Sequence, residues 1–150
     1  MFFMTRWLCM ADRTNAAIVK ERLVWGVPAR YRNTIGRVHP GDTLLIYARQ
    51  EHAAGETLPS IVMAAYDVVS PVFEDTEPIF TAPAFLPGEV FPMRVKVKPL
   101  PDISEPVPFK PLVPALSFIK NKVMWSGSIR AMRTIPEEDY QRIVAGGKGN

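Results

Sequence analysis

The segment WGVPARYRNTIGRVHPGD, residues 25–42, runs directly into the apolar run TLLIYAR, residues 43–49. Its first part strings aromatic and basic side chains between glycine and proline, which predicts a loop with one helical turn after Asn33. His39-Pro-Gly-Asp42 predicts a tight turn, and Thr43–Arg49 predicts a strand buried on both faces. Loops with this composition hold flat rings and nearby phosphates, so the segment indicates one half of a binding site.

Short elements are predicted on both sides of this segment. Phe3–Met10 is expected to be the first strand, and Thr14 or Asn15 offers the N-cap of a helix over residues 16–24. After the turn, the apolar run Ile61–Val69 predicts a second strand buried on both faces. Gln50–Pro59 is then expected to be a mobile connection between the two buried strands.

The second half of the chain is dominated by proline. Most of the 15 prolines lie between Pro71 and Pro114, where extended loops and sheet edges are therefore expected. Within this half, Phe91–Lys98 alternates apolar and basic residues. That alternation predicts a half-buried strand with an outer row of Arg94, Lys96 and Lys98, and an exposed edge open to a partner.

Two helices are predicted near the end of the chain. Leu112–Lys120 is compatible with a short helix that has Pro114 in its first turn. Thr134-Ile-Pro-Glu137 is a capping-box pattern, and it predicts a last helix over Glu138–Val144 that Gly146-Gly147 ends. About five strands with three short helices predict a small α+β barrel formed by one domain over residues 1–150.

Composition limits the class of protein. Hydrophobic residues make up 47% and charged residues 22% of the 150 residues, which predicts a packed core rather than a disordered chain. The longest apolar runs are too short to cross a membrane, and the N-terminus lacks the pattern of a signal peptide. Cys9 is the single cysteine, so no internal disulfide can form, and a cytoplasmic location is expected.

Charge is unevenly distributed along the chain. The net charge is +3, and residues 106–136 carry no acidic residue but five basic ones: Lys110, Lys120, Lys122, Arg130 and Arg133. A basic face of this kind can meet a phosphate backbone. A solvated surface with chance clustering of charge is the structural alternative.

Patterns typical of enzymes are missing. The two histidines have no metal-type spacing, and phosphate-loop, dinucleotide-binding and nucleophile-elbow motifs are absent. The acidic run Glu137-Glu-Asp139 belongs in the first turn of the predicted last helix, where the helix dipole explains it. We therefore expect a non-enzymatic protein without metal or cofactor.

Three tryptophans, Trp7, Trp25 and Trp125, lie beside different predicted elements. Trp25 follows the first helix and opens the basic loop, so it is poorly placed for deep burial, and Trp125 also lies in a predicted loop. An exposed ring with arginine and asparagine nearby can stack on a base while an amide reads the edge of that base. Burial in a core remains the alternative for each tryptophan taken alone.

Several short motifs occur together in an order that resembles the EVE domain. They are Val24-Trp-Gly-Val-Pro28, the pair Arg32-Asn33, Pro40-Gly-Asp42 before a strand with Tyr47, and Phe118-Ile-Lys-Asn-Lys122 before Trp125-Ser126. The compact single-domain prokaryotic members of that family are the most similar. The resemblance implies a PUA-like fold, a small curved β-barrel of about five to six strands flanked by short helices. EVE domains are in turn similar to YTH domains, which hold a methylated base in an aromatic cage.

The resemblance also implies site residues. Asn15 and Trp25 match the asparagine and tryptophan that line the pocket in YTH domains, and Gly26 stands where those domains have a serine. Cys9 and Ala11 are expected to form pocket wall through their backbone. The remaining candidates for the base-binding pocket are Trp125, Tyr47, Trp7 and Asn33, and the expected phosphate contacts are Arg30, Arg32, Lys120 and Lys122.

The function that these features imply is capture of a base in DNA or RNA, and the cage favours a modified base. Two alternatives stay open. The first is a PUA-like RNA-binding module that has no preference for modification, and the second is a binder of free nucleobases or nucleosides. The sequence identifies neither the nucleic acid nor the oligomeric state.

Overall fold

The computed structural model describes residues 4–146. Phe3, at the start of the predicted first strand, and Gly147, at the predicted end of the last helix, lie outside this range. The strands are β1 (Arg6–Ala11), β2 (Val24–Val27), β3 (Thr43–Ala48), β4 (Glu51–Ala53), β5 (Glu56–Leu58), β6 (Ile61–Val68), β7 (Phe73–Glu74), β8 (Met93–Leu100), β9 (Val107–Pro108) and β10 (Met132–Ile135). The α-helices are α1 (Arg13–Arg22), α2 (Arg32–Ile35) and α3 (Glu137–Gly146), and short 3-10 helices cover Ala29–Tyr31, Lys110–Ala115 and Trp125–Ser128.

A single curled sheet organises the chain, in the order β10-β1-β3-β6-β8-β2. Strands β1 and β3 are parallel, and the other neighbours in this order are antiparallel. β7 adds to β8, β9 adds to β6, and β4 with β5 forms a separate hairpin. The predicted α+β class with a curved sheet of six main strands is confirmed.

Side chains on the two faces of the sheet form two apolar clusters. In β1, Leu8 packs into the cluster that helix α3 covers, whereas Trp7 and Cys9 pack into the cluster that contains Trp25. This division follows from the alternation of side chains along a strand. We call the first cluster the α3 core and the second the Trp25 core.

A buried acid, Asp139, ties helix α3 to the loop at Ser117 and Phe118, which is distant in sequence. Burial alone would raise the pKa of the Asp139 carboxyl. The backbone N–H groups of Ser117 and Phe118, the Ser117 hydroxyl and Arg142 donate to it, and they lower its pKa instead. The predicted last helix is thus confirmed, and Asp139 also anchors a distant loop.

Two predictions in the first third of the chain are wrong. Asp12, rather than Thr14 or Asn15, caps α1, because its carboxylate accepts from the Asn15 backbone N–H at 2.7 Å. Trp25 does not open a loop: it lies in β2, opposite Val95 of β8, and is buried. Pairing with β8 makes these four residues a strand, which their own short pattern does not reveal.

The open edge predicted for the eighth strand is wrong, and its predicted outer row is wrong at Arg94. β8 lies inside the sheet between β6 and β2, so its edges are paired. Lys96 and Lys98 are exposed as expected, but Arg94 is buried. Residues 50–59, predicted to be a mobile connection, contain the β4–β5 hairpin, and the helix expected over 112–120 is a 3-10 helix that begins at Lys110.

Candidate functional site

An open cavity of about 160 Å³ lies where β1 ends and α1 begins. Three parts of the chain form most of its wall: the β1–α1 junction, β2 with the 3-10 helix that follows, and the segment between β7 and β8. Arg49 and Ala131 complete it. Its lining residues are Met10, Ala11, Asp12, Asn15, Trp25, Gly26, Val27, Pro28, Arg30, Tyr31, Arg49, Phe80, Pro83, Phe85, Leu86, Glu89, Phe91 and Ala131. The wall is mostly apolar and aromatic, with charged side chains among the lining residues, which is typical of a small-molecule site.

Trp25 is the most buried aromatic side chain of this wall, with 3% of its surface exposed. Its indole Nε1 is the one buried side-chain nitrogen or oxygen in residues 4–146 that has no hydrogen-bond partner. Leaving a buried donor unpaired costs about 1–3 kcal/mol, so native proteins rarely do it. A bound molecule with an acceptor at its edge would remove this cost.

Gly26 lets the aromatic wall come close to β2. A Cβ at this position would lie 2.8 Å from the Phe91 carbonyl oxygen and 2.9 Å from Phe80 Cε2. Both distances are too short for a real side chain, so the serine that YTH domains have here does not fit beside these neighbours. The glycine therefore belongs to the pocket through close packing rather than through a hydroxyl contact.

Residues 77–91, which we call the strap, supply most of the far wall. Asn15 holds its middle, because its Nδ2 donates to the Thr81 carbonyl at 3.0 Å and its Oδ1 accepts from the Thr81 N–H at 2.7 Å. Phe80 and Phe91 pack edge to face, with ring centroids 5.6 Å apart. Phe85, by contrast, is 73% exposed where the strap borders the cavity.

Arg94 holds both ends of the strap. Its guanidinium donates to the carbonyls of Glu77, Val90 and Phe91 and lies 3.6 Å from a carboxylate oxygen of Asp75. Burial lowers the pKa of Arg94, and the carboxylates of Asp75 and Glu77 oppose that shift. The strap is therefore built into the fold through two buried polar side chains, Asn15 and Arg94.

Four charged side chains border the cavity. The Asp12 carboxylate caps α1, and Glu89 Oε2 accepts from the Phe91 N–H at 2.9 Å. Arg30 and Arg49 are exposed, and the Arg30 guanidinium lies 5.0 Å from the centre of the Tyr31 ring. Guanidinium groups beside an apolar cavity can hold phosphates next to a bound ring.

The structure brings five of the predicted site residues together. Trp25, Asn15, Gly26, Ala11 and Arg30 all line the cavity. The amide of Asn15 is engaged on both sides by Thr81, so its place is to hold the strap rather than to offer a free donor and acceptor.

Five predicted pocket residues do not line the cavity. Trp7 and Cys9 are buried in the Trp25 core, where burial raises the pKa of the Cys9 thiol and Trp7 Nε1 donates to Asp42 Oδ2 at 3.0 Å. Tyr47 and Trp125 pack on Phe109 in the α3 core, on the other face of the sheet. Asn33 is exposed on α2. Sequence order does not reveal which face of the sheet a side chain takes, and that face separates Tyr47 and Trp125 from the cavity. Trp7 lies on the same face as Trp25 and is not a lining residue.

Three predicted phosphate contacts also lie outside the lining residues. Lys122 Nζ donates to the carbonyls of Val113 and Leu116, so it pins a loop. Arg32 Nε donates to the Ala29 carbonyl at 3.2 Å. Lys120 is exposed, and it is not part of the cavity wall.

The residues missed from the sequence are mainly those of the strap. Phe80, Phe85 and Phe91 lie in a proline-rich segment. Their spacing has neither helix nor strand periodicity, so a shared wall could not be predicted from it. Arg49 directly follows β3, and its sequence position predicts only the last residue of a buried strand. Within residues 4–146, no group of three His, Cys, Asp or Glu side chains is placed to hold a metal ion, and no helix is long and apolar enough to span a bilayer.

Solved structures share this fold. Human THYN1 in complex with DNA containing 5-methylcytosine matches with a TM-score of 0.60 and 12% identity, over 97% of this chain and 99% of that chain. The Mmi1 YTH domain in complex with RNA matches with a TM-score of 0.60 and 13% identity, over 97% of this chain and 78% of that one. The fold is thus PUA-like, the class that the resemblance implied.

The sequence narrows this class to one family. The EVE domain model matches residues 5–146. A UPF0310 protein of Pyrococcus abyssi is 50% identical over 142 residues, which are 93% of this chain and 97% of that protein. The chain belongs to the EVE domain family.

Proposed function

We propose that this protein is a non-enzymatic nucleic-acid-binding module that captures one base, with preference for a modified base, in the cavity beside Trp25. The observation that carries the proposal is that Trp25, whose buried Nε1 has no hydrogen-bond partner, lines an aromatic cavity. A ring nitrogen or a carbonyl oxygen at the edge of a base is an acceptor of the kind that this donor lacks.

The aromatic wall supports a flat ligand. Trp25, Phe80 and Phe91 offer apolar surface, and stacking of one base on an aromatic ring is worth about 1–3 kcal/mol. Phe85 lies exposed beside the same cavity, where a second ring could cover the base. A methyl group buried on the base would add about 0.8 kcal/mol, which gives a modest preference for a methylated form.

The polar groups around the cavity suit the rest of a nucleotide. Arg30 and Arg49 can contact the phosphates on either side of the captured base, which adds affinity without sequence preference. Asp12 and Glu89 can accept from amino groups of the base with their remaining carboxylate oxygens. Arg49 thus replaces Lys120 and Lys122 among the proposed phosphate contacts.

The known complexes of proteins with this fold are consistent with the proposal. The Mmi1 YTH domain has been solved with RNA, and human THYN1 with DNA containing 5-methylcytosine. At 13% and 12% identity these likenesses indicate a shared fold, so the choice of nucleic acid and base has to be measured for this chain.

The test is a Trp25→Phe variant, which keeps an aromatic ring but removes the indole N–H. Trp25→Ala is less useful, because deleting a buried tryptophan costs about 3–5 kcal/mol and would destabilise the fold. Binding is measured by fluorescence anisotropy with DNA and RNA oligonucleotides that carry 5-methylcytosine, N6-methyladenine or no modification. Trp125→Phe, a half-buried ring outside the cavity, is the matched control.

We expect Trp25→Phe to bind the preferred oligonucleotide at least tenfold more weakly, and Trp125→Phe to bind it like the parent. Equal binding by parent and Trp25→Phe would contradict the proposal. Equal affinity for modified and unmodified strands with a steep salt dependence would favour an RNA-binding module without modification specificity. Binding of free nucleosides as tight as that of oligonucleotides would favour the small-molecule alternative.

A further inference from the structure

A second cavity, of about 170 Å³, shares no lining residue with the cavity beside Trp25. It is lined by the end of α1, by residues of β2, β7 and β8, and by the start of the strap. Strand pairing brings its walls together, because Val24 lies opposite Lys96 and Phe73 lies opposite Arg94. We call it the Arg94 cavity, since the buried side chain of Arg94 lines it.

The Arg94 guanidinium keeps two donors for this cavity. Of its five N–H groups, the one on Nε and the two on Nη2 donate to carbonyls of the strap. Its Nη1 lies 3.6 Å from the Asp75 carboxylate, which is longer than a hydrogen bond. Nη1 is not fully buried, because within residues 4–146 Trp25 Nε1 is the one fully buried side-chain nitrogen or oxygen without a partner. Two N–H groups of a buried cation thus remain for an acceptor in the cavity that Arg94 lines.

Two exposed cations, Arg22 and Lys96, line the same cavity. Neither forms an ion pair with a side chain in the described range 4–146, although the carboxylates of Asp75 and Glu77 also line the cavity. Guanidinium and ammonium groups bind oxyanions through short, charge-assisted hydrogen bonds. Together with Arg94 Nη1, these two side chains therefore indicate a site for an oxyanion.

The two acids of the wall decide what kind of oxyanion fits. Asp75 is fixed beside Arg94, because its Oδ1 accepts from the Glu77 backbone N–H at 2.9 Å. With the Glu77 carboxylate in the same wall, a bare anion would be repelled as well as attracted. An ammonium group on the ligand would turn this repulsion into attraction, because carboxylates accept from its N–H groups. The wall therefore matches a ligand that carries both charges.

The remaining wall and the volume limit the size of the ligand. Val24, Phe73 and Ile79 are half-buried apolar side chains, which suit an apolar group between the charges. Drug-sized ligands occupy cavities of about 300–1,000 Å³. The volume of about 170 Å³ is well below that range, and it equals the share of roughly five or six water molecules in the liquid. This is the size of an amino acid rather than of a nucleotide.

We propose that the Arg94 cavity is a second binding site, which takes a small zwitterion: an α-amino acid with an apolar side chain. The carboxylate of this ligand binds the cations of the wall, its ammonium group binds the two acids, and its side chain contacts the apolar residues. The proposal does not depend on capture of a base, since the two cavities share no lining residue.

The test is titration calorimetry of the full chain with L-leucine and with three probes that each lack part of it. Leucine methyl ester has no carboxylate, N-acetyl-leucine has no ammonium group, and inorganic phosphate is a bare anion. These probes are applied to the unchanged protein, so the result does not depend on whether a variant folds.

Two double variants then separate the two charges of the site. Arg22→Gln with Lys96→Gln removes the exposed cations, and Asp75→Asn with Glu77→Gln removes the acids while keeping the shape of their side chains. Lys98→Gln is the matched control, because Lys98 is also exposed on β8 but does not line the cavity.

We expect saturable binding of leucine by the parent and by the control, and binding at least tenfold weaker for each of the three probes and for each double variant with leucine. The variant without the acids should also bind inorganic phosphate more tightly than the parent does, because the repulsion is removed. No saturable binding of leucine would overturn the proposal, and so would unchanged binding of leucine by either double variant. N-acetyl-leucine or phosphate that binds the parent as tightly as leucine would replace it with a simple anion site. None of these outcomes bears on the proposed capture of a base.

Discussion

Trp7 and Trp25 belong to the same apolar core, and they differ in one hydrogen bond. Trp7 is 1% exposed and donates to Asp42, whereas Trp25 is 3% exposed and donates to nothing in residues 4–146. The fold provides an acceptor for one indole and a cavity for the other. We propose that this difference distinguishes a tryptophan that serves stability from one that serves a ligand.

Asp42 holds together the region around Trp7, which we call the corner. Its carboxylate accepts from the backbone N–H groups of Thr5 and His39 as well as from Trp7. These three bonds join the start of β1 to the turn before β3. The turn predicted at His39-Pro-Gly-Asp42 is therefore held by the Asp42 carboxylate. The three hydrogen bonds that this carboxylate accepts account for its burial.

The largest expected effect is on this corner. Asp42→Ala would leave three donors without their acceptor and should lower the free energy of unfolding by about 2–4 kcal/mol. The matched change beside the cavity is Asp12→Ala, which removes one N-cap and should cost about 1 kcal/mol. Urea unfolding of both variants at neutral pH measures the difference, and equal losses would show that the two regions are held alike.

A smaller effect is expected at Gly26. Gly26→Ala would push a methyl group against the Phe91 carbonyl and the Phe80 ring, so it should destabilise the protein by about 1–3 kcal/mol and displace the cavity wall. Gly127→Ala, with no atom within 4 Å of the added Cβ, is the control and should be nearly neutral. Thermal unfolding of both variants is the measurement. A stable Gly26→Ala variant with unchanged ligand binding would show that the wall adapts.

The two tryptophans themselves can be compared by the same substitution. Trp7→Phe removes a donor from Asp42, while Trp25→Phe removes a donor that has no partner, so Trp7→Phe should be the more destabilising of the two by about 1 kcal/mol. Chemical denaturation of the two variants under identical conditions gives this difference. A greater loss for Trp25→Phe would mean that the fold itself uses the Trp25 N–H.

The smallest effect is expected for the arginines beside the cavity, and it should appear in binding alone. Arg30→Gln and Arg49→Gln should each reduce the slope of log K against log salt concentration by about 1 for an oligonucleotide that the parent binds. Arg37→Gln, another exposed arginine outside the cavity, is the control. Anisotropy titrations over a range of salt concentrations test this. Unchanged slopes for both cavity arginines would remove them from the phosphate contacts.

Much of the fold could be predicted where one segment determines its own structure. Strands β3 and β6 follow from long apolar runs, and α3 follows from its capping pattern and acidic first turn. Strand β2 could not be predicted, because four residues with a glycine among them become a strand only by pairing with β8. Arg94 was placed on the wrong face for a related reason: its partners are carbonyls of the strap, which no local pattern reveals.

The site was predictable in part. Asn15, Trp25, Gly26, Ala11 and Arg30 follow from the family resemblance and do line one cavity. The aromatic wall of the strap was not predicted, because the strap reaches the cavity through long-range bonds from Asn15 and Arg94. Trp7, Tyr47 and Trp125 match an aromatic cage only by residue type, and none of the three lines the cavity.

The central claim is that the Trp25 N–H donates to an acceptor on a bound base. The NMR signals of the indole N–H groups test it most directly. In protein labelled with ¹⁵N-tryptophan, each indole gives a separate N–H signal, and Trp25→Phe assigns the one from Trp25. On titration with 5-methyl-dCMP, or with the oligonucleotide that binds best, we expect a downfield shift and slower solvent exchange of the Trp25 signal, while the Trp7 signal stays fixed. Saturable binding that leaves the Trp25 signal unmoved would contradict the proposed role of Trp25.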